Sequence, residues 1–232
     1  MRPEEIIQRR VARELRAGTL VNLGIGLPTG VSFYVPEEKH VFFQSENGII
    51  GMSSRPPEGM EDEDLTDAGG GFVSALPGAA TIDSAVSFGL IRGGHVDATV
   101  LGGLEVDENG QLANWVVPGK MVPGMGGAMD LVTGARRVIV AMQHTARGRP
   151  KIVPKCTLPL TSLRRVTLIV TDMAVIEPTD DGLVLRERAP GVVVDTILES
   201  TTAKLIVPDY VPEMNLAVAT LEEENRVAAE AA

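Results

Sequence analysis

Glu46 is the residue best placed by type and spacing to do chemistry. It lies in the tetrapeptide Ser45-Glu46-Asn47-Gly48, directly after the apolar run Val41-Phe42-Phe43. An apolar run closed by a glycine two residues past an acid predicts a buried strand ending in a sharp turn, with one carboxylate at its tip. Strand ends are where ligands sit in α/β proteins. A single Glu there can be a nucleophile, a base or a ligand, or it can have no role.

The second candidate is Met125-Gly126-Gly127-Ala128-Met129-Asp130. Glycine and alanine leave the backbone bare, so amide N–H groups can approach a ligand. Residues through Thr133 read as the start of a helix, whose N-terminus favours developing negative charge. That is material for an oxyanion hole, and equally for a packing turn. A third glycine turn, Gly24-Ile25-Gly26-Leu27-Pro28, follows a strand-like run. The spacing of Gly24, Gly26 and Gly30 misses the dinucleotide fingerprint, and no G-K-[ST] loop is present. It is open between a ligand contact and a turn that lets a helix pack closely.

Other chemistries find little support. His40, His95 and His144 are far apart and Cys156 is the only cysteine, so no metal site is expected. Cys156 reads as a small buried hydrophobe. No G-x-S-x-G elbow occurs. Arg136, Arg137, Arg147, Arg149, Lys151 and Lys155 gather in one region, which could meet the phosphates of an anionic ligand but reads first as a solvated face.

Elements that would position these residues are legible from pattern. Pro3-Glu4-Glu5 opens a helix, Ile7, Val11 and Leu15 give it one apolar stripe, and Gly18 ends it. Strands are expected over residues 19–23, 97–103, 137–142, 167–171 and 204–207. Hairpins are expected at Asn109-Gly110 and Asp180-Asp181-Gly182, and a helix capped by Asp195. Residues 52–71, with Pro56-Pro57, the run Glu61-Asp62-Glu63-Asp64 and Gly69-Gly70-Gly71, form a long loop, either a lid or a solvated connection. Residues 1–214 read as one domain and residues 215–232 as a C-terminal tail that frays or is disordered.

Bulk properties agree. The chain has 232 residues, 44% of them hydrophobic but only 3% aromatic, so its core is aliphatic. Many of its 25 glycines follow short apolar runs, which suits an α/β fold with tight strand-to-helix turns. A net charge of −10 argues against nucleic-acid partners. The N-terminus mixes charged and apolar residues and does not read as a secretory leader. No apolar stretch is long enough to span a bilayer, so no membrane partner is expected. With a single cysteine, the expected location is cytoplasmic.

Taken in order, the motifs carry a family resemblance over residues 4–214. They are Val21-Asn22-Leu23-Gly24-Ile25-Gly26-Leu27-Pro28, Gln44-Ser45-Glu46-Asn47-Gly48, Leu90-Ile91-Arg92-Gly93-Gly94-His95-Val96-Asp97 and Leu112-Ala113-Asn114-Trp115. Pro118-Gly119-Lys120-Met121, Gly124-Met125-Gly126-Gly127-Ala128-Met129-Asp130-Leu131-Val132 and Cys156-Thr157-Leu158-Pro159-Leu160-Thr161 continue the series. The chain resembles the B (β) subunit of the family I CoA-transferases, the group of 3-oxoacid, acetate–acetoacetate and butyrate–acetoacetate enzymes.

The resemblance implies an open, mostly parallel α/β sheet flanked by helices. It implies Glu46 as nucleophile, with Gly127 and Ala128 supplying the oxyanion hole. Asn22, Gly24, Gly26 and Asn47 are the implied substrate or CoA contacts. It further implies a separate CoA-transferase A (α) subunit as partner, acyl-CoA and short-chain carboxylates as substrates, and no permanently bound cofactor. Coenzyme A enters as substrate and as a covalent thioester on Glu46. Succinyl-CoA:3-oxoacid enzymes carry Lys in an A-G-K stretch, where this chain has Asp67-Ala68-Gly69-Gly70. Gly70 in place of that Lys favours a monocarboxylate acceptor over succinate. The β subunit of a succinyl-CoA:3-oxoacid CoA-transferase and a non-catalytic ligand-sensing subunit are the alternatives. The stretch Met52-Ser53-Ser54-Arg55 departs from the family's pattern.

Overall fold

The computed structural model describes residues 1–119 and 126–230. The landmarks at Lys120, Met121, Gly124 and Met125 lie outside the described residues.

Helix α1 (Pro3–Ala12) carries proline at its start and Glu4 and Glu5 in its first turn. Strands β1 (Leu20–Leu23), β2 (Phe42–Ser45), β3 (Ile49–Met52) and β4 (Ala75–Thr81) follow, with a 3-10 helix at Leu27–Tyr34. Helix α2 (Ser84–Arg92) starts on Asp83, whose carboxylate accepts the Val86 N–H. Next come β5 (Ala98–Leu101), β6 (Glu105–Asp107), β7 (Leu112–Ala113), helix α3 (Ala128–Gly134) and β8 (Arg137–Ala141). The chain continues through β9 (Thr145–Ala146), β10 (Arg149–Pro150), β11 (Ile152–Val153), β12 (Leu168–Val170), β13 (Ala174–Thr179) and β14 (Gly182–Arg188). Helix α4 (Val194–Glu199), β15 (Leu205–Ile206) and helix α5 (Leu221–Glu230) complete it.

Ten strands form one sheet in the order β15-β14-β13-β12-β8-β5-β1-β2-β3-β4. The five central strands, β12 to β2, run parallel; β3 and β4 extend the sheet antiparallel on one side, and β13 and β14 do so on the other, where β15 pairs parallel with β14. The expected open, mostly parallel sheet flanked by helices is therefore present. Parallel strands covered on both faces read as continuous apolar runs, and β5 and β12 are buried along their whole length.

Two cores follow from strand alternation. Val21, Leu23, Ala98 and Val100 face α1, where Ile7, Val11 and Leu15 are buried. Leu101, Val138 and Val140 belong to the opposite face with Ile91 of α2 and Leu131 and Val132 of α3. A buried ionic group pins α1 to the sheet. Arg10 bonds Glu14 at 2.8 Å and Glu187 of β14 at 2.7 Å, and Arg137 of β8 also pairs with Glu14. Burial pushes the Glu14 carboxyl up, but Arg10 and Arg137 outweigh it and hold it below the usual range.

Two local expectations change. Asp195 lies inside the first turn of α4, and the residue before that helix is Val193; a carboxylate one residue into a helix still favours its dipole, so the pattern misplaces only the boundary. The segment 215–232 contains α5, whose Glu223 pairs with Arg13 and whose Glu224 lies 2.9 Å from the buried Lys39 ammonium and accepts the Ala17 N–H at 2.9 Å. Composition alone does not reveal those partners because they lie some two hundred residues earlier in the chain.

Candidate active site

Strand β1 sits between β2 and β5, so the chain passes to one side of β1 and later returns on the other. That reversal opens a crevice at the carboxyl ends of the parallel strands. Gly24 follows β1, Glu46 follows β2 and Gly102 follows β5 there.

The β2–β3 turn is shaped by Gly48. Its φ is +129°, and a Cβ there would stand 2.0 Å from the Ile82 carbonyl oxygen. No other residue fits. The Gly48 N–H donates to the Ser45 carbonyl at 3.0 Å, and the Gly48 carbonyl accepts from Ile82 N–H at 2.9 Å. The half-buried Glu46 is thereby held at the tip.

Asn22 lies directly beneath it. Asn22, Gln44 of β2 and Thr99 of β5 are register partners across three adjacent strands. All three are buried. Asn22 Nδ2 lies 3.2 Å from Glu46 Oε2, and also 3.2 Å from the Gln44 backbone carbonyl and from Gln44 Oε1. Thr99 Oγ1 donates to Asn22 Oδ1 at 3.5 Å, and Gln44 Nε2 donates to Ser87 Oγ of α2 at 2.9 Å.

Gly127 closes the other side. A Cβ on Gly127 would lie 3.2 Å from Glu46 Cγ, 3.4 Å from Glu46 Oε1 and 3.4 Å from the Phe88 ring. Gly127 is the residue preceding α3, and Ala128 is the first residue of that helix. The bare backbone at Gly127 is what lets the Glu46 side chain pack against it.

The long loop after β3 is fastened on both sides of Glu46. Ser45 Oγ accepts the Ala68 N–H at 2.9 Å, and Asn47 Nδ2 donates to the Thr66 carbonyl at 2.6 Å. Asp67 Oδ1 accepts the N–H groups of Gly69 and Gly71 at 2.8 and 2.9 Å, and Gly69 rests against Ile25. The loop thus bridges the Glu46 turn and the Gly24–Gly26 turn. Gly70 is exposed with φ +78° and open space where a side chain would project.

The sequence-predicted residues therefore divide. Glu46, Asn22 and Gly127 converge, with Ala128 adjacent. The Asn47 amide is engaged by the loop. The Gly24 N–H donates to the Val100 carbonyl at 2.8 Å, and the strand behind it leaves no room for a side chain. Gly26 is exposed with φ +88°. Gln44, Ser87 and Thr99 escape sequence reasoning. Gln44 has a signal, a polar residue inside an apolar strand, whereas Ser87 has none.

Cys156 and His144 stand apart from this constellation. Burial, then Asp107 and Glu105, push the Cys156 thiol up to about 12. His144 is fully buried between Thr171 and Thr201 hydroxyls at 2.9 and 2.8 Å. Among the described residues no group of three or more His, Cys, Asp or Glu side chains could hold a metal ion, and no helix is long and apolar enough to cross a membrane.

A carboxylate just past the end of a central strand, beside a buried amide and a glycine turn, thus stands in the crevice where open α/β sheets take their ligands. The chain belongs to the coenzyme A transferase family: the family model for coenzyme A transferase matches residues 4–200. It is 53% identical to the acetate CoA-transferase subunit beta of Haemophilus influenzae over 96% of this chain and 100% of that protein. The Escherichia coli protein of the same description is 55% identical over 88% of this chain and 94% of its own. The B subunit of the succinyl-CoA:3-ketoacid coenzyme A transferase of Helicobacter pylori is 48% identical over 86% and 97%.

Among solved structures, glutaconate coenzyme A-transferase from Acidaminococcus fermentans aligns with a TM-score of 0.71 at 19% identity, covering 99% of this chain and 94% of that one. An acyl-CoA transferase from E. coli O157:H7 aligns with a TM-score of 0.74 at 22% identity, covering 96% of this chain. This chain spans only 45% of the length of that protein. These two likenesses concern the fold.

Proposed function

We propose that this chain is the catalytic β subunit of a short-chain acyl-CoA:carboxylate CoA-transferase, with Glu46 as nucleophile. The observation that carries the reading is the Glu46 carboxylate held at the strand edge, 3.2 Å from the buried Asn22 amide and packed on Gly127.

The chemistry follows from those groups. A Glu46 oxygen attacks the thioester carbonyl of the donor acyl-CoA. The C–S bond breaks, CoA leaves as thiolate, and an acyl–glutamyl anhydride remains. The thiolate then attacks the glutamyl carbonyl, expels the donor carboxylate and leaves a glutamyl-CoA thioester. The acceptor carboxylate runs the same steps in reverse. Every intermediate is an acid derivative of the same class, so neither a metal nor ATP is required.

A carboxylate is a weak nucleophile, so rate comes from alignment and from stabilising the tetrahedral oxyanion. In this reading Gly127 and Ala128 present backbone N–H groups to that oxygen, each such donor being worth about 2.7–4 kcal/mol in enzymes of this kind. Asn22 fixes the attacking oxygen. Asn47 and the Gly24–Gly26 turn shape the entrance for CoA or the acyl group.

The acceptor is acetate or a similar short monocarboxylate. Two relatives named for acetate are 53% and 55% identical, and Gly70 offers no cation for a second carboxylate. The partner is a CoA-transferase α subunit. Relatives are named as beta or B subunits, β4 is exposed along nearly its whole length, and Ile25 in the turn after β1 and Phe33 in the 3-10 helix are 71% and 75% exposed. The location proposed is the cytoplasm.

Mixing the chain with its α subunit and acetoacetyl-CoA and measuring intact mass tests the reading. A CoA-sized adduct on Glu46, absent in Glu46→Ala together with transfer activity, is expected. Full transfer activity in Glu46→Ala would overturn it.

A further inference from the structure

Three buried polar side chains cross the sheet in register where the fold calls for none. Gln44, Asn22 and Thr99 occupy matching positions on β2, β1 and β5. Their strand neighbours Val21 and Leu23, Ala98 and Val100, and Phe43 before Gln44 are apolar, while Ser45 after Gln44 is polar and bonds the loop. Valine at all three positions would pack such a sheet without hydrogen-bond debts. Buried amides and hydroxyls cost stability unless each finds a partner. Here the partners form one connected chain, with Ser87 of α2 at one end and Glu46 at the other.

Resting on the reading of Glu46 as nucleophile, we infer that Gln44 and Ser87 are positioning residues that act on Glu46 through Asn22. Ser87 Oγ accepts the Gln44 Nε2 hydrogen at 2.9 Å. That contact anchors the far side of the Gln44 amide, while Asn22 Nδ2, which can only donate, takes Oε1 at 3.2 Å. Asn22 has two Nδ2 hydrogens and three acceptors. The two oxygens of Gln44 take one hydrogen and leave the other for Glu46 Oε2. Thr99 donates to Asn22 Oδ1 and opposes a flip of the Asn22 amide. Asn22 thus donates in two directions, to Gln44 on one side and to the Glu46 carboxylate on the other.

Ser87 is fully buried, so water does not replace its hydroxyl when it is removed. Without it, Gln44 Nε2 has no partner and the Gln44 side chain is no longer anchored against Asn22. Asn22 then shifts, and Glu46 loses the bond that orients its attacking oxygen.

The test uses the complex with the α subunit and acetoacetyl-CoA. Ser87→Ala is expected to slow both kcat and the appearance of the CoA adduct on Glu46 by roughly fivefold to tenfold, the scale of one lost hydrogen bond, with KM unchanged. Ser87→Thr, which keeps the hydroxyl, restores the rate. Gln44→Met is expected to give a similar loss and serves if Ser87→Ala does not fold. In the Asn22→Ala background, Ser87→Ala should add nothing, because the relay acts through Asn22. A general packing defect would instead slow both backgrounds equally, and that result overturns the inference. An unchanged adduct rate in Ser87→Ala and Gln44→Met overturns it as well, while leaving the nucleophile reading intact. A wild-type complex that turns over without any Glu46 adduct overturns the nucleophile reading and the relay together.

Discussion

Asn22 Nδ2 and Glu46 Oε2 stand 3.2 Å apart although one residue lies in β1, the other just past the end of β2, and 24 positions separate them in sequence. The parallel pairing of β1 with β2 creates this contact. Asn22 lies opposite Gln44, so the residue two positions beyond Gln44 folds back over it as soon as the strand ends in a turn. One amide hydrogen therefore fixes one oxygen of the carboxylate and leaves Oε1 beside Gly127.

Asn22→Ala removes that hydrogen bond to a charged group. Such bonds contribute about 1.5–3 kcal/mol, so kcat is expected to fall roughly 10- to 150-fold. Steady-state transfer kinetics with the α subunit check this. The adduct on Glu46 should still form, only more slowly, because Asn22 orients the nucleophile and does not replace it.

Gly127→Ala separates packing from folding. Gly127 has φ −82°, which any residue adopts, so the backbone tolerates the change. The added methyl would press on Glu46 at 3.2 Å and on Phe88 at 3.4 Å. Pushing the carboxylate out of line by about 1 Å costs on the order of a hundredfold in rate. The expected result is a near-normal thermal midpoint with strongly reduced transfer. A fall in both together would mean that the turn itself had collapsed.

The two residues flanking Glu46 set the order of the loop over residues 53–74. Ser45 takes a hydrogen bond from Ala68, and Asn47 gives one to Thr66. The double change Ser45→Ala with Asn47→Ala is expected to loosen the loop, since the hydrogen bonds that remain, among them the Thr66–Phe72 bridge, the Asp67 turn and the Val73–Leu65, Ser74–Ser54 and Ser53–Ser74 backbone bonds, join loop residues to one another and not to the Glu46 turn. Amide hydrogen exchange at Ala68 should accelerate about tenfold or more, while exchange in β5 and β12 stays slow.

These contacts separate what is legible in the chain from what is not. Glu46 and its turn are readable because Gly48 punctuates an apolar run, and α1 because Ile7, Val11 and Leu15 repeat every four residues. An aliphatic α/β sheet is readable from the short apolar runs, and the β13–β14 hairpin from Asp180-Asp181-Gly182. The parallel centre is legible only through the family resemblance, and strand order is not legible at all. The antiparallel β3–β4 extension depends on pairing between segments whose local patterns look alike. Ser87 is invisible for the same reason: an ordinary serine in a helix becomes meaningful only when α2 packs its hydroxyl onto Gln44. The loop is open to two readings because its anchors, Ser45 and Asn47, sit outside it.

His144 gives the clearest pH dependence of stability. Burial pushes its imidazole from the usual 6.5 down to about 4, with Asp172 opposing the shift. The ring accepts from or donates to the hydroxyls of Thr171 and Thr201, and neither gains from an imidazolium. The unfolded chain therefore binds a proton at a higher pH than the folded one. Stability from this group is fully present above pH 6.5, falls as the pH drops toward 4, and levels off below it. The loss amounts to on the order of 3 kcal/mol at about 1.4 kcal/mol per pH interval. Glu14, held low chiefly by Arg10 against its burial, loses stability in the same direction at more acid pH. Urea unfolding at about pH 7.5, 6, 5 and 4.5 should show the decline. His144→Gln retains hydrogen-bonding capacity without the titration, so it should flatten the slope between pH 6.5 and 4 while lowering stability at neutral pH. An equal slope in the variant would assign the acid sensitivity to carboxylates instead.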